Sequence, residues 1–211
     1  MNNYKIEIIE DFLSEDDFNS LCSINFESNF ENEVKIFHNR INKNNEIVES
    51  CLEADLIKRL HNNYHKKALE ILKKLSPEKV ALYDYSDFTI VNTGKNFQSS
   101  FHDDTPDKIL SGVIYLKPEK NTGTIFSDFK SGKDSEIVDW KPNKAVFFSR
   151  KERTTWHAYK GNGESNRVAL VYNLYTKDIK ETFKIEKKNY FIGNLRYKIN
   201  PYLFRYFKFT I

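Results

Sequence analysis

The chain has 211 residues, 33 basic and 30 acidic side chains, a formal net charge of +3 and 15% aromatic residues. That length suits one domain, or one domain with a small appendage. The near-balanced charge does not announce a polyanion binder, and the aromatic content excludes a disordered chain. Two cysteines, Cys22 and Cys51, exclude a disulfide-rich scaffold and fit a reducing compartment. No apolar run approaches the roughly 18 residues of a spanning helix. The opening MNNYKIEIIEDF lacks a basic stretch followed by an apolar one, so no signal peptide is expected and a cytoplasmic location is.

In chain order, residues 4–9 alternate as a short strand. Ser14 with Asp17 three residues on resembles a capping box ahead of Phe18, Leu21 and Cys22. Leu52, Leu56, Leu60, Tyr64, Ala68, Leu72 and Leu75 then form one stripe at helical spacing, ended by Ser76-Pro77. A helix with one apolar stripe and a Lys/His/Asn back packs on something flat, such as a sheet face. From Val80 the period shifts to strands, expected at 81–92, 96–104, 108–116, 122–129, 135–140, 143–149, 153–160 and 167–176. Six of the seven glycines fall between Gly94 and Gly163, and Gly161-Asn162-Gly163 is expected to join the last two strands as a hairpin. About eight short strands behind two helices predict an α+β fold: a jelly roll buttressed on one side. Residues 1–80 are read as its supporting front, 81–176 as the core and 177–211 as an extension. The tail 189–211 has no acidic residue and carries Arg196, Lys198, Arg205 and Lys208 among eight aromatics. Asn200-Pro201 is expected to open a short helix there. The tail reads first as packing on its own domain or a sister subunit, second as a membrane contact, third as a base-stacking surface.

The stretch SFHDDTPDK places His102 and Asp104 two residues apart. In an extended chain they share a face and can reach one metal ion together. His157, in TTWHAYKG, can supply a third ligand. Two imidazoles and one carboxylate on one face of an octahedral ion leave positions open, which suits Fe(II) in oxygen-activating enzymes. Arg167 follows across the glycine-rich turn and is expected on the strand beside His157, where a guanidinium would hold a carboxylate by a bidentate pair.

From His102-x-Asp104 through GVIYL at 112–116, NTGT at 121–124, His157 and Arg167, the sequence resembles the Fe(II)/2-oxoglutarate-dependent dioxygenases, in particular their prolyl-hydroxylase-like branch. The front segment KIEIIEDFLSEDDFNSLC is similar to that branch's lead-in. The resemblance implies a double-stranded β-helix that binds Fe(II) through His102, Asp104 and His157. It implies that Arg167 and Tyr115 hold the distal carboxylate of 2-oxoglutarate, with Thr124 in the accompanying Gly-Thr turn. Asn92 stands where many relatives have a tyrosine near the metal, a departure from the pattern; it is carried as a cosubstrate-site candidate. The implied reaction consumes dioxygen and 2-oxoglutarate, releases succinate and CO2 and hydroxylates a C–H bond. Ascorbate is a candidate reductant. Halogenating relatives lack the carboxylate that Asp104 supplies. Nucleic-acid demethylases carry a second Arg where this chain has Asn173, which argues against DNA or RNA as substrate. Peptidyl proline, another side chain, a free amino acid or a glycan precursor all stay open, and the loops before His102 and between 129 and 135 are expected to shape the choice.

The rival reading is a cupin-like metal- or sugar-binding or isomerase module, which shares the jelly roll and needs no cosubstrate. His61 and His65 stand four apart like a zinc pair, but the glutamate of a metalloprotease motif is missing and both are expected on the solvated side of their helix. His65-Lys66-Lys67 and Lys73-Lys74 are read as that helix's wet face. His38 is placed in a polar loop with no role.

Overall fold

The computed structural model describes residues 4–26 and 30–207; Lys208, counted above in the basic tail, lies outside them. The front begins with strand β1 (Ile6–Ile9) and helix α1 (Glu15–Cys22). The Ser14 hydroxyl caps α1 by accepting from the Asp17 amide at 3.3 Å. The Asp17 carboxylate accepts from Ser14 Oγ (3.0 Å) and also from Tyr64 Oη (2.7 Å) and Arg59 Nε (2.7 Å) of the next helix, so the cap also ties two helices together. Three short strands follow, β2 (Val34–Phe37), β3 (Arg40–Asn42) and β4 (Ile47–Glu49). Helix α2 (Ala54–Leu75) ends where Ser76-Pro77 was expected to end it, and a 3₁₀ turn over Pro77–Leu82 delays the next strand.

The remaining strands are β5 (Tyr85–Thr93), β6 (Lys108–Lys117), β7 (Ile125–Ser127), β8 (Glu136–Ile137), β9 (Ala145–Phe148), β10 (Trp156–Ala158) and β11 (Arg167–Tyr175). Among the described residues, an eight-stranded antiparallel sheet runs β1-β9-β6-β11-β5-β3-β4, with β2 also paired to β5. A smaller sheet runs β10-β7-β8. The expected strand at 96–104 is present only as two isolated bridges, Gln98 to Lys160 and His102 to His157, which lay it along the small sheet beside β10. Seven of the expected core strands and this bridged segment make the two-sheet jelly roll.

Strand alternation divides the core. Val168, Leu170, Tyr172 and Leu174 of β11, with Phe88 and Ile90 of β5, turn to Ile57, Leu60, Ala68 and Leu72 of α2. Each Val, Leu, Ile or Phe among them contributes on the order of 1.5–3 kcal/mol when fully buried. The opposite face meets the small sheet through Tyr115, Phe126, Val138, Val146 and Phe148.

The expected hairpin joining the last two strands is absent. β10 pairs with β7, and β11 pairs with β5 and β6, so the chain crosses from one sheet to the other through 159–166. Gly161 is packed so closely on the Lys95 carbonyl that a Cβ would stand 2.0 Å from it. The glycine serves a close approach there, and the turn signal misled. The tail also differs from expectation. Helix α3 (Ile179–Ile185) is followed by α4 (Tyr190–Phe207), which contains Pro201 within its length instead of starting there.

His61 is buried, not solvated. It stacks on His65 with ring centroids 4.5 Å apart, and burial followed by the neighbouring His65 charge pushes it down to about 4. A buried ion cluster joins the 3₁₀ turn, the end of β9 and α3. Glu186 accepts from Lys79 Nζ (2.8 Å), from an Arg150 guanidinium nitrogen (2.6 Å) and from the Glu152 amide (2.9 Å). Lys79 also donates to the Arg150 carbonyl. No described helix is long and apolar enough to cross a membrane.

Candidate active site

His102 and His157 come from segments far apart in sequence and meet as a main-chain bridge. The His102 amide donates to the His157 carbonyl (3.1 Å), and the His157 amide donates back (2.9 Å). Their rings lie with centroids 4.3 Å apart. Asp104 completes a group whose donor atoms all lie within 4.8 Å of one another. His102 Nδ1 sits 3.0 Å from the Ser100 carbonyl and His157 Nδ1 3.2 Å from the Thr155 carbonyl. A carbonyl only accepts, so each Nδ1 carries the proton and each Nε2 keeps its lone pair for a ligand bond. Burial, then the neighbouring His102, pushes His157 down to about 4, so it is neutral and able to ligate at ordinary pH.

Asp104 is buried. Burial alone would raise its carboxyl, but the Lys108 ammonium and the two imidazoles hold it far below the usual carboxylate range. Lys108 Nζ donates to Oδ1 (2.8 Å) and Ser111 Oγ to Oδ2 (2.5 Å). Each oxygen retains lone-pair capacity for a cation. Arg150 Nε donates to the Asp104 carbonyl at 3.0 Å, so the Glu186 cluster also braces the Asp104 backbone. The sequence reading missed Lys108, Ser111 and Arg150. Lys108 and Ser111 carried a signal, standing at the start of a strand four and seven residues past Asp104.

Arg167 lies on the large sheet, not on the strand beside His157, and reaches the site across the sandwich. It is in register with Thr93 and on the same face as Tyr115, which pairs with Ala169. Its guanidinium lies 4.1 Å from the Tyr159 ring centroid, 5.5 Å from Trp140 and 5.6 Å from Tyr115. It is buried, and its Nε has no hydrogen-bond partner among the described residues. Burial pushes it down, and only the tyrosines act against this. A cation so enclosed, with no carboxylate of the described residues against it, is a costly arrangement in a folded protein.

Tyr115 and Thr124 are brought together. The Tyr115 hydroxyl accepts from the Thr124 amide (2.8 Å) and donates to Thr124 Oγ1 (3.1 Å), while Trp140 stacks on the ring at 4.5 Å. The preceding turn depends on Gly123, where a Cβ would stand 1.7 Å from the Val138 carbonyl. Asn92 is not part of this site. It pairs with Val168, whose side chain faces α2, and both line a separate cavity of about 730 Å³ with Phe26 and Lys117. Arg167 and Thr93, one residue along each strand, face the opposite way.

A second cleft of about 260 Å³ opens directly on the His/Asp group. His102, Asp104, Arg153, Trp156, Tyr197 and Pro201 are among its walls, so α4 forms part of its rim. Arg153 holds a positive φ of 58°, and its amide donates to Asp103 Oδ2 at 2.8 Å, which fixes this unusual turn at the mouth.

The residues fit a divalent cation: two neutral imidazoles with free Nε2 atoms and one ionised carboxylate form a donor set suited to Fe(II). The unmatched Arg167 fits a carboxylate-bearing cosubstrate beside it. No protein-family model and no curated protein matches the sequence. Solved structures do match the fold. A Pseudomonas putida prolyl-4-hydroxylase aligns with TM-score 0.58 at 13% identity over 83% of this chain and 94% of its own. A 2OG-Fe(II) oxygenase family oxidoreductase from Burkholderia pseudomallei gives 0.55 at 11% identity, over 81% and 84%. A Trichoplax adhaerens prolyl hydroxylase, solved with a hypoxia-inducible-factor oxygen-degradation-domain peptide, gives 0.52 at 13%, over 83% and 86%. The fold is that of the prolyl-hydroxylase-like 2OG-Fe(II) oxygenases.

Proposed function

We propose that this protein is an Fe(II)- and 2-oxoglutarate-dependent dioxygenase that hydroxylates a C–H bond of its substrate. The observation that carries the reading is Arg167: a buried guanidinium walled by Tyr159, Trp140 and Tyr115, with no carboxylate partner among the described residues. A metal-binding module of the cupin kind has no use for such a residue.

In this reading His102, Asp104 and His157 hold Fe(II), and Arg167 holds the distal carboxylate of 2-oxoglutarate. When bound, the iron and cosubstrate supply dioxygen activation coupled to decarboxylation of 2-oxoglutarate to succinate and CO2, with ascorbate as a candidate reductant. The chain's own residues bind, orient and exclude water. The Ser100 and Thr155 carbonyls fix the imidazole tautomers. Lys108 and Ser111 keep Asp104 ionised and aimed. Tyr115 shapes the cosubstrate wall and, by rotating its hydroxyl from Thr124, can add a hydrogen bond to the same carboxylate. Asn92, on the far face of the sheet, is assigned no part. Substrate enters by the cleft at Trp156, Arg153 and α4. Residues 81–176 carry the catalytic core, 1–80 support it and 177–211 extend it. The cytoplasm, and a peptidyl proline or another side chain, remain the working location and substrate class.

Anaerobic addition of Fe(II) and then 2-oxoglutarate tests the reading. A visible absorption band is expected in the wild type and should be lost in His102→Ala, Asp104→Ala and His157→Ala variants that keep their fold. Metal uptake by the wild type without a band on adding 2-oxoglutarate would refute it.

A further inference from the structure

Helix α4 carries more apolar surface than its packing on its own domain covers. At 3.6 residues per turn, Phe191, Ile192, Leu195, Tyr202 and Tyr206 fall on one stripe about 100° wide. That stripe faces away from the domain: Phe191 is 82% exposed, Tyr206 68% and Tyr202 66%, and Ile192 and Leu195 are exposed as well. The inward side makes the contacts with the domain, and Tyr190 packs there on Phe183 with ring centroids 6.1 Å apart. Gly193 sits so close to Phe183 that a Cβ would stand 2.2 Å from its ring, and Arg196 reaches Glu152 at 3.3 Å. The helix thus docks by one side and leaves a second, apolar stripe uncovered on the other. An exposed apolar stripe of this kind marks a contact surface.

The charge around the stripe selects the partner. Glu186 is the last acidic residue of the chain. Lys187 and Lys188 lead into α4, and Lys198 and Arg205, both exposed, flank the stripe along one edge. We propose that α4 lies on an anionic membrane surface, its aromatic and aliphatic stripe set into the headgroup boundary and its cations among the lipid phosphates. Aromatic and aliphatic residues edged by Lys and Arg are the chemistry of an interfacial helix. A second copy fits less well: pairing two such stripes brings Lys198 and Arg205 of both helices together with no carboxylate on either. A nucleic acid fits less well too, because Ile192 and Leu195 of the stripe offer no ring for a base. The inner side of the helix lines the cleft that opens on the His/Asp group, so this docking sets that cleft beside the bilayer.

The inference does not rest on the oxygenase reading and is tested apart from it, by co-sedimenting the full chain with vesicles. The wild type should sediment with phosphatidylcholine vesicles containing phosphatidylglycerol and remain in solution with pure phosphatidylcholine, and high salt should release it. Lys198→Gln and Arg205→Gln should each weaken binding roughly fivefold, and together about twenty-five-fold. Phe191→Ser with Leu195→Ser should weaken it at least tenfold with an unchanged melting temperature, both residues being exposed. Three results would each overturn the proposal: no sedimentation of the wild type with the anionic vesicles, binding that ignores both variant pairs, or a dimer in sedimentation equilibrium that Phe191→Ser with Leu195→Ser dissolves.

Discussion

Replacing Arg167 by methionine sets two consequences of one residue against each other. The guanidinium is buried with no anion against it among the described residues, an arrangement that costs several kcal/mol per ion after relaxation. Three aromatic rings at 4.1, 5.5 and 5.6 Å return part of that, at up to about 2 kcal/mol for a desolvated cation–π contact. Methionine keeps the packing and removes the charge. The Arg167→Met protein without cosubstrate should therefore be between as stable as the wild type and about 2 kcal/mol more stable. At this length each kcal/mol moves the melting temperature by about 2–4 °C. Binding of 2-oxoglutarate should move the other way. Leaving a buried carboxylate unpaired costs on the order of 3–5 kcal/mol, at least a hundredfold in Kd. Melting curves of both proteins, with and without 2-oxoglutarate, read both effects. At a cosubstrate concentration about a hundred times its Kd, the wild type should gain about 2.7 kcal/mol and the variant almost nothing. Tyr115→Phe removes one hydrogen bond and should be milder, about 1.5–3 kcal/mol at most. A variant that loses more than about 1 kcal/mol without cosubstrate, or that binds 2-oxoglutarate like the wild type, would refute the view of Arg167 as an anion clamp awaiting its anion.

Two further outcomes follow from the buried charges. His61 sits near 4 in the folded protein, below its unfolded value of about 6.5. As pH falls through 6.5 the unfolded chain takes up a proton that the folded one refuses, so stability drops until about pH 4 and then levels, by up to about 3 kcal/mol from this group. Urea melts across that window should show the extra slope in the wild type and not in His61→Leu; equal slopes would mean that His61 protonates freely in the fold. Glu186→Ala strips the partner from Lys79 and Arg150, both buried, and should cost about 3–5 kcal/mol in urea unfolding. It should also weaken metal binding, because Arg150 holds the Asp104 carbonyl; a loss below about 1 kcal/mol would show that the two cations find other partners.

Much of this candidate site was legible because its candidate ligands lie in short, chemically loud stretches. The two-residue spacing of His102 and Asp104 in an extended chain holds, although that segment forms only bridges to the small sheet. The expected place of Arg167 failed for a topological reason: Gly161 and Gly163 looked like a hairpin turn, whereas the chain there passes between sheets. Asn92 failed by a single residue, which in a strand of period two is the whole distance from one face to the other. Strands β2, β3 and β4 left little signal because each is three or four residues long and only partly buried. His61 looked solvated beside His65 and the lysines, yet it falls on the covered flank of α2, a distinction that depends on how the helix is rolled against the sheet.

The bridge between His102 and His157 bears on how this centre would gather a metal ion. Two of its three donors belong to chain segments that the backbone itself laces together, by reciprocal amide-to-carbonyl bonds. The third, Asp104, is held from both carboxylate oxygens and from its own carbonyl. An ion arriving here has no loop to fold around itself, because the entropy of assembling the ligands was lost when the sheets closed. The expected behaviour is that of a rigid multidentate chelator, whose preference among ions is set by the spacing that the main chain imposes.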